Sequence, residues 1–224
     1  RYLQGLREYA MSGSDLTLKT TINTDQGMPY LPRHLLADVE GNPEDRLAAI
    51  ERYFVPVEAR FLIATADVQG GSSGRFVCEV RAYGPQLESW LVDRFSISTT
   101  TRGDQAAQVD PSGYPEDWDL LTDKLVRATY RLDDGREMRV FRVAVDTGGE
   151  EGTTPNAYAW YRRLRAAGLS HRVMLVKGGS HAQEKPVVRG TARTNEGRPM
   201  RDMPIWIINT DFYKDMVAAS LRRK

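Results

Sequence analysis

Cysteine is nearly absent. Cys78 stands alone in 224 residues, so neither an intramolecular disulfide nor a multi-cysteine zinc site can form, and a reducing cytoplasm suits the chain. Long apolar runs are missing too: no stretch approaches the ~18 uninterrupted apolar residues of a membrane span, and the N-terminus lacks the apolar run of a secretory signal. A soluble, intracellular protein with no membrane partner is expected. No Gly-rich loop ending in Gly-Lys-Ser/Thr occurs, which excludes ATP hydrolysis of the P-loop kind. Charge of one sign is not in excess either. The net +1 says little, because nucleic-acid binders often gather a local basic surface inside a balanced total.

What is present is a chain with 41% apolar residues, enough for one well-buried core or a core with a flanking segment. Residues 1–60 read as a connector: a short helix from Arg1 to about Met11, a polar passage through Gly27, Pro29, Pro32 and Gly41-Asn42-Pro43, then a helix from about Glu44 to Tyr53. From Phe61 the pattern changes to short apolar runs broken by turns. FLIATADVQ (61–69) reads as a buried central strand, followed by RFVCEVRAYG (75–84) and ESWLVDRFSI (88–97) as an antiparallel pair. A polar loop is expected over 99–116, a helix over 116–130 and a strand over 138–149. After that come a helix over 156–167, a strand over 172–179, a long polar loop over 180–204, a strand over 205–211 and a terminal helix. Strands in hairpin order, then helix, strand, helix, strand, give an α/β fold with a mixed sheet flanked by helices, the order of an RNase H-like (integrase/resolvase-like) core.

Asp67 and Asp146 each end an apolar strand, and in open α/β sheets the functional crevice lies at such strand ends. If the two strands are neighbours, the carboxylates converge. Two ionised carboxylates a few ångströms apart repel, so a shared proton, a basic side chain or a divalent cation must hold them. Hard oxygen ligands favour Mg²⁺ or Mn²⁺, and a pair of such ions about 4 Å apart can activate water and stabilise the leaving oxygen in phosphodiester hydrolysis. The bland reading of either aspartate is a turn-former bonded to nearby backbone N–H groups.

The segments carrying these acids resemble the nuclease domain of lambda-like terminase large subunits, the GpA family. INTDQGMPY (22–30), ATADVQ, RAYGPQLESWLVDR, VAVDTGG, LVKGG and INTDFYKD follow one another in that family's order over nearly the whole chain. The resemblance implies an endonuclease domain spanning 61–224 that cuts concatemeric viral DNA into genome lengths. Its implied partners are double-stranded DNA, an ATPase domain upstream in the same polypeptide, the terminase small subunit and the portal. The implied setting is the cytoplasm of a phage-infected or prophage-carrying bacterium. Asp67 and Asp146 become the metal-binding acids of a two-metal Mg²⁺ or Mn²⁺ site, Gln69 lies beside them, and Lys177 contacts the scissile or a backbone phosphate. The family's third acid resembles a downstream helical aspartate that this chain stops short of, so the C-terminal end is expected to be truncated.

Asp211, expected to end the last strand, and Asp215, four residues on, are the candidate substitutes as catalytic or metal-binding groups. The plainer reading makes Asp211 the cap of the last helix and Asp215 a surface residue. His181 is a weaker candidate for a base or phosphate contact, and His34 and His171 are weaker again. Glu79 and Asp93 are expected to face outward by alternation; pointing inward, Glu79 becomes an extra ligand. Lys185, Arg189, Arg193, Arg198 and Arg201 spread positive charge along the 180–204 segment, as DNA-backbone binding requires, or merely solvate a loop. Trp118, Trp160 and Trp206 read as core.

Three further readings compete with a nuclease. The Gly-rich turns after Asp67 and Asp146 suggest an actin- or sugar-kinase-like nucleotide-binding phosphotransferase, which needs a duplicated core. Asp146-Thr147-Gly148 suggests an aspartic protease, which needs a second carboxylate sharing a proton. Without its third acid, the chain could also serve as a non-catalytic DNA-binding assembly module.

Overall fold

Every second residue of FLIATADVQ is buried in strand β1 (Phe61–Gln69), but only on one side. Leu62, Ala64, Ala66 and Val68 are buried while Phe61, Thr65 and Asp67 are exposed, so the expectation of a strand covered on both faces does not hold. This is a computed structural model; it describes residues 2–12, 16–24, 53–71, 73–85, 88–149, 151–179, 185–194 and 196–222. Contacts divide the chain into one unit of residues 49–177 and 189–207 and another of 1–48, 178–188 and 208–224.

In the first unit, β2 (Arg75–Tyr83) runs antiparallel to β1, and β3 (Ser89–Ile97) runs antiparallel to β2. The 99–116 loop contains a hairpin, β4 (Thr99–Arg102) with β5 (Gln105–Gln108), turning at Gly103 with φ +60°. Its strands show little apolar alternation, which hid them. The predicted 116–130 helix is shorter and irregular. A 3₁₀ turn (Pro115–Trp118) leads into α3 (Asp119–Leu121) and a π turn (Thr122–Val126). It stops there because β6 (Thr129–Arg131) pairs antiparallel with β7 (Glu137–Asp146). α4 (Thr153–Ala166) crosses over to β8 (Val173–Gly178), parallel to β7, as a strand-helix-strand crossover requires.

The expected 180–204 loop also contains structure. β9 (Val187–Arg193) and β10 (Pro199–Ile208) extend the sheet, with a turn in which Thr194 N–H donates to the Arg198 carbonyl at 2.8 Å. The sheet order is β3-β2-β1-β7-β8-β10-β9, with β6 on β7. This is a mixed α/β, RNase H-like arrangement with β1 and β7 side by side in its interior.

The buried sides of β1, β2, β7 and β8 join one core with Trp118, Leu121, Leu125, Trp160 and Leu164. Both indoles are fully buried and find acceptors, Trp118 Nε1 in the Pro111 carbonyl at 2.9 Å and Trp160 Nε1 in Thr122 Oγ1 at 2.8 Å. A buried indole otherwise leaves its N–H stranded. These residues anchor the helices to one face and leave the Thr65–Asp67 side open.

In the second unit, α1 (Tyr2–Ser12) matches the expected first helix, and α2 (Leu16–Thr24) occupies part of the expected polar passage. Gly5 lets the two meet, since a Cβ there would lie 2.7 Å from the Leu18 backbone nitrogen. α5 (Thr210–Arg222) closes the chain. The expected 44–53 helix lies outside the described residues apart from Tyr53.

Candidate active site

β1 and β7 are parallel neighbours, with Thr65 beside Ala144 and Ala66 beside Val145. The next step along both strands sets Asp67 beside Asp146, at their C-terminal ends. Paired residues of parallel strands project to one face, and adjacent strands lie about 4.8 Å apart. The two carboxylates therefore leave the sheet together on its open side, Asp67 exposed and Asp146 half-buried.

Each carboxylate has one oxygen held by the protein. Gln69 Nε2 donates to Asp67 Oδ2 at 3.0 Å, from the same side of β1, and the Gly148 N–H donates to Asp146 Oδ1 at 2.8 Å. The turn that aims Gly148 is fixed from β8 and α4. Buried Thr147 donates its N–H and hydroxyl to the Val176 carbonyl at 2.9 and 3.0 Å, and Thr154 Oγ1 donates to the Thr147 carbonyl at 2.7 Å. A Cβ at Gly148 would sit 3.2 Å from Asp146 Oδ1 and press on that carboxylate. Thr147 and Gly148 were not expected from the sequence to position Asp146; the Asp-Thr-Gly-Gly string that carries them reads there as a turn, a phosphate loop or a protease motif.

The remaining oxygens, Asp67 Oδ1 and Asp146 Oδ2, accept no hydrogen bond among the described residues and are hard donors of the kind a Mg²⁺- or Mn²⁺-type ion takes. Such ions commonly keep several waters and take one or two protein carboxylates plus phosphate oxygens. The residues present fit one divalent ion in that way. Among the described residues, no group of three or more Asp, Glu, His or Cys side chains is placed to hold a metal.

The family described as terminase large subunit gpA, endonuclease domain, matches residues 1–224. The chain belongs to this family. It is 29% identical over 180 residues to the terminase large subunit of Escherichia phage lambda, covering 80% of this chain and 24% of that protein. It is 28% identical over 210 residues to the terminase large subunit of Enterobacteria phage P21, covering 92% of this chain and 28% of that protein. The chain thus spans about a quarter of the length of these curated relatives. No solved structure matches it.

The other candidates in this gpA-type endonuclease domain fall in several places. Lys177 leaves β8 toward α4: its ammonium is half-buried, donates to Thr154 Oγ1 at 3.3 Å and lies 5.9 Å from the Tyr158 ring centroid. Burial pushes its pKa down, and the Asp146 charge opposes that shift. Glu79 sits opposite Thr65 on the open face and pairs with Arg81 at 2.5 Å, so the outward expectation holds for it.

Asp93 does not face outward as expected; it is 5% exposed. The pairing of β2 with β3 shifts between Val80 and Arg81, leaving Val92 as an extra residue that resets the alternation and sets Asp93 opposite buried Val80. The Tyr130 hydroxyl meets its carboxylate at 3.4 Å.

Asp211 and Asp215 belong to the other unit. β10 ends at Ile208, and Asp211 lies in the first turn of α5 rather than at a strand end. Asn209 caps that helix instead, its Oδ1 accepting the Phe212 N–H at 3.0 Å. The Asp215 carboxylate pairs with the Lys19 ammonium.

Arg189 and Arg193 are exposed on β9, at the sheet edge, where charged side chains also block strand-to-strand aggregation. The Arg189 guanidinium lies 5.7 Å from the Trp206 ring centroid, and Trp206 is only half-buried rather than core. Arg193 donates to the Gly197 carbonyl at 2.9 Å, and Arg198 and Arg201 are exposed beyond that turn. Lys185 is exposed in the other unit, and His34 and His181 lie outside the described residues.

Proposed function

We propose that this chain is a Mg²⁺- or Mn²⁺-dependent endonuclease domain that hydrolyses phosphodiesters of double-stranded viral DNA. The observation that supports this most is the register that carries Asp67 and Asp146 side by side at the ends of parallel strands β1 and β7, in a chain of the terminase endonuclease family.

Asp67 and Asp146 would hold the divalent ion, which when bound supplies Lewis acidity and an activated water. Gln69 and the Gly148 N–H each hold one oxygen of the two carboxylates, which limits the reorganisation needed when an ion binds. Lys177 adds positive charge near Asp146, available to a substrate phosphate if it leaves Thr154. Arg189 and Arg193 on β9 and Arg198 at the turn after it, with Lys185, are proposed to contact DNA backbone phosphates away from the reacting bond. Asp211 and Asp215 are proposed as supplementary acids, Asp215 on release of its pairing with Lys19.

In its biological setting the domain would cut concatemeric DNA to genome length in the host cytoplasm. There it would work with an ATPase domain of the same polypeptide joined through residues 1–60, the terminase small subunit and the portal. The phosphotransferase reading calls for a duplicated core, and the described strands form one sheet of this kind. The test is nicking of supercoiled plasmid with Mn²⁺. Nicking that disappears with EDTA and in Asp146→Ala supports the proposal; nicking that survives both would overturn it.

A further inference from the structure

At the end of the sheet away from the acids, the start of β1, the first half of β7 and the turn before β8 enclose a cleft of about 270 Å³. Arg60, Arg139, Arg142, Arg172 and His171 line it together with Phe61 and Phe141, and no Asp or Glu does. Among the described residues, none of these arginines is in an ion pair. Four like charges around one cleft repel one another. Burial lowers the Arg172 pKa, and the Arg139 charge lowers it further, the strain an anion in the cleft would relieve.

The walls are also preset. Arg172 donates to the Val140 carbonyl, and the Arg142 guanidinium lies 5.2 Å from the Phe141 centroid. Phe141 is 57% and Phe61 38% exposed, with their centroids 6.2 Å apart. Exposed rings beside a cationic cleft suit a ligand with a flat apolar face and a phosphate. Guanidinium forks match phosphate oxygens, and nucleobases stack on aromatic rings. The volume is near the lower limit of ordinary ligand pockets, about 300 Å³, so one nucleotide unit fits better than a larger cofactor.

We propose that this cleft binds a nucleotide phosphate, with Arg60, Arg139, Arg142 and Arg172 around the phosphate and Phe61 or Phe141 against the base. A free nucleotide and one unit of a nucleic-acid strand present the same recognition chemistry. On β7 the cleft residue nearest the acids, Arg142, lies four residues before Asp146, roughly 13 Å at the rise of a strand. The cleft is therefore separate from the carboxylate pair and does not depend on the metal-site reading.

The test uses the whole chain in EDTA, so that no cleavage intervenes. Thymidine monophosphate and inorganic phosphate are titrated by calorimetry, and a labelled oligothymidylate by fluorescence anisotropy. Arg60→Glu and Arg139→Glu, both at exposed positions, should each weaken nucleotide binding at least ~10-fold. Arg136→Glu, the same charge change at the exposed β6–β7 turn, should not. Phe141→Ala should weaken the base-bearing probes and spare inorganic phosphate. Binding of the oligothymidylate alone assigns the site to a strand, and binding of the monophosphate assigns it to a free nucleotide as well. Absence of binding by every probe, or an equal loss in Arg136→Glu, would overturn the proposal.

Discussion

Removing the cation beside Asp117 should cost the fold more than any exposed substitution. The Asp117 carboxylate is 1% exposed and accepts from Arg102, on the β4–β5 hairpin, and from the Asp110 N–H at 2.7 Å. In Arg102→Met the stem's packing is largely kept, but a buried charge is left with one hydrogen bond. Breaking a buried pair in this way costs about 3–5 kcal/mol. The lower end applies, because 24% of the Arg102 side chain reaches solvent. With a urea slope of about 2.5 kcal/mol per molar, a loss of ~3 kcal/mol moves the unfolding midpoint down by roughly 1 M. Adding Asp117→Asn removes the stranded charge and keeps an acceptor for Asp110, so the double variant should regain at least half of the loss. A midpoint shift under about 0.3 M in Arg102→Met, or no recovery in the double variant, would refute the reasoning.

Gly148→Ala should keep the melting temperature nearly unchanged while lowering Mn²⁺-dependent nicking roughly tenfold or more, because its Cβ would crowd Asp146 Oδ1; melting and nicking assays on the same preparation separate the two effects. Burial pushes the Cys78 thiol up to about 12, so at pH 8 it should resist iodoacetamide in the native protein and react once urea unfolds the chain, as mass spectrometry would read. The Ser112 hydroxyl, then the Gly113 N–H, hold the Asp110 carboxyl below the usual carboxylate range. A depressed folded pKa stabilises above the unfolded value, near 4, and that contribution is lost as pH falls through the folded value. Asp110→Asn should therefore lower the melting temperature at pH 7 and leave a shallower fall on acidification, by thermal melts across pH 2 to 7.

The acids could be read from sequence because each closes an apolar run, and a strand end is a place as well as a composition. Their shared register could not, since nothing in FLIATADVQ or MRVFRVAVD states which residue of one strand lies beside which residue of the other. Asp93 was misread because alternation assumes an unbroken pleat, and one extra residue at Val92 turns the following side chain to the other face. β4, β5 and β9 were hidden for a related reason. Edge and hairpin strands bury few side chains, so β9 reads as a basic loop, with Ala192 alone fully buried. The helix after Pro115 was overextended because Thr129–Arg131 carries residues acceptable in a helix but is claimed by pairing with β7. The arginine cleft was illegible altogether, as Arg60, Arg139, Arg142 and Arg172 come from three separate segments that only the fold brings together.

Whether the two carboxylates share one cation is read most directly by Mn²⁺ titration calorimetry in the absence of DNA. Wild-type protein should bind Mn²⁺, and Asp67→Ala and Asp146→Ala should each weaken binding at least ~10-fold, with the double variant little worse than either single one. Equal Mn²⁺ affinity in the wild type and the double variant would contradict a shared cation.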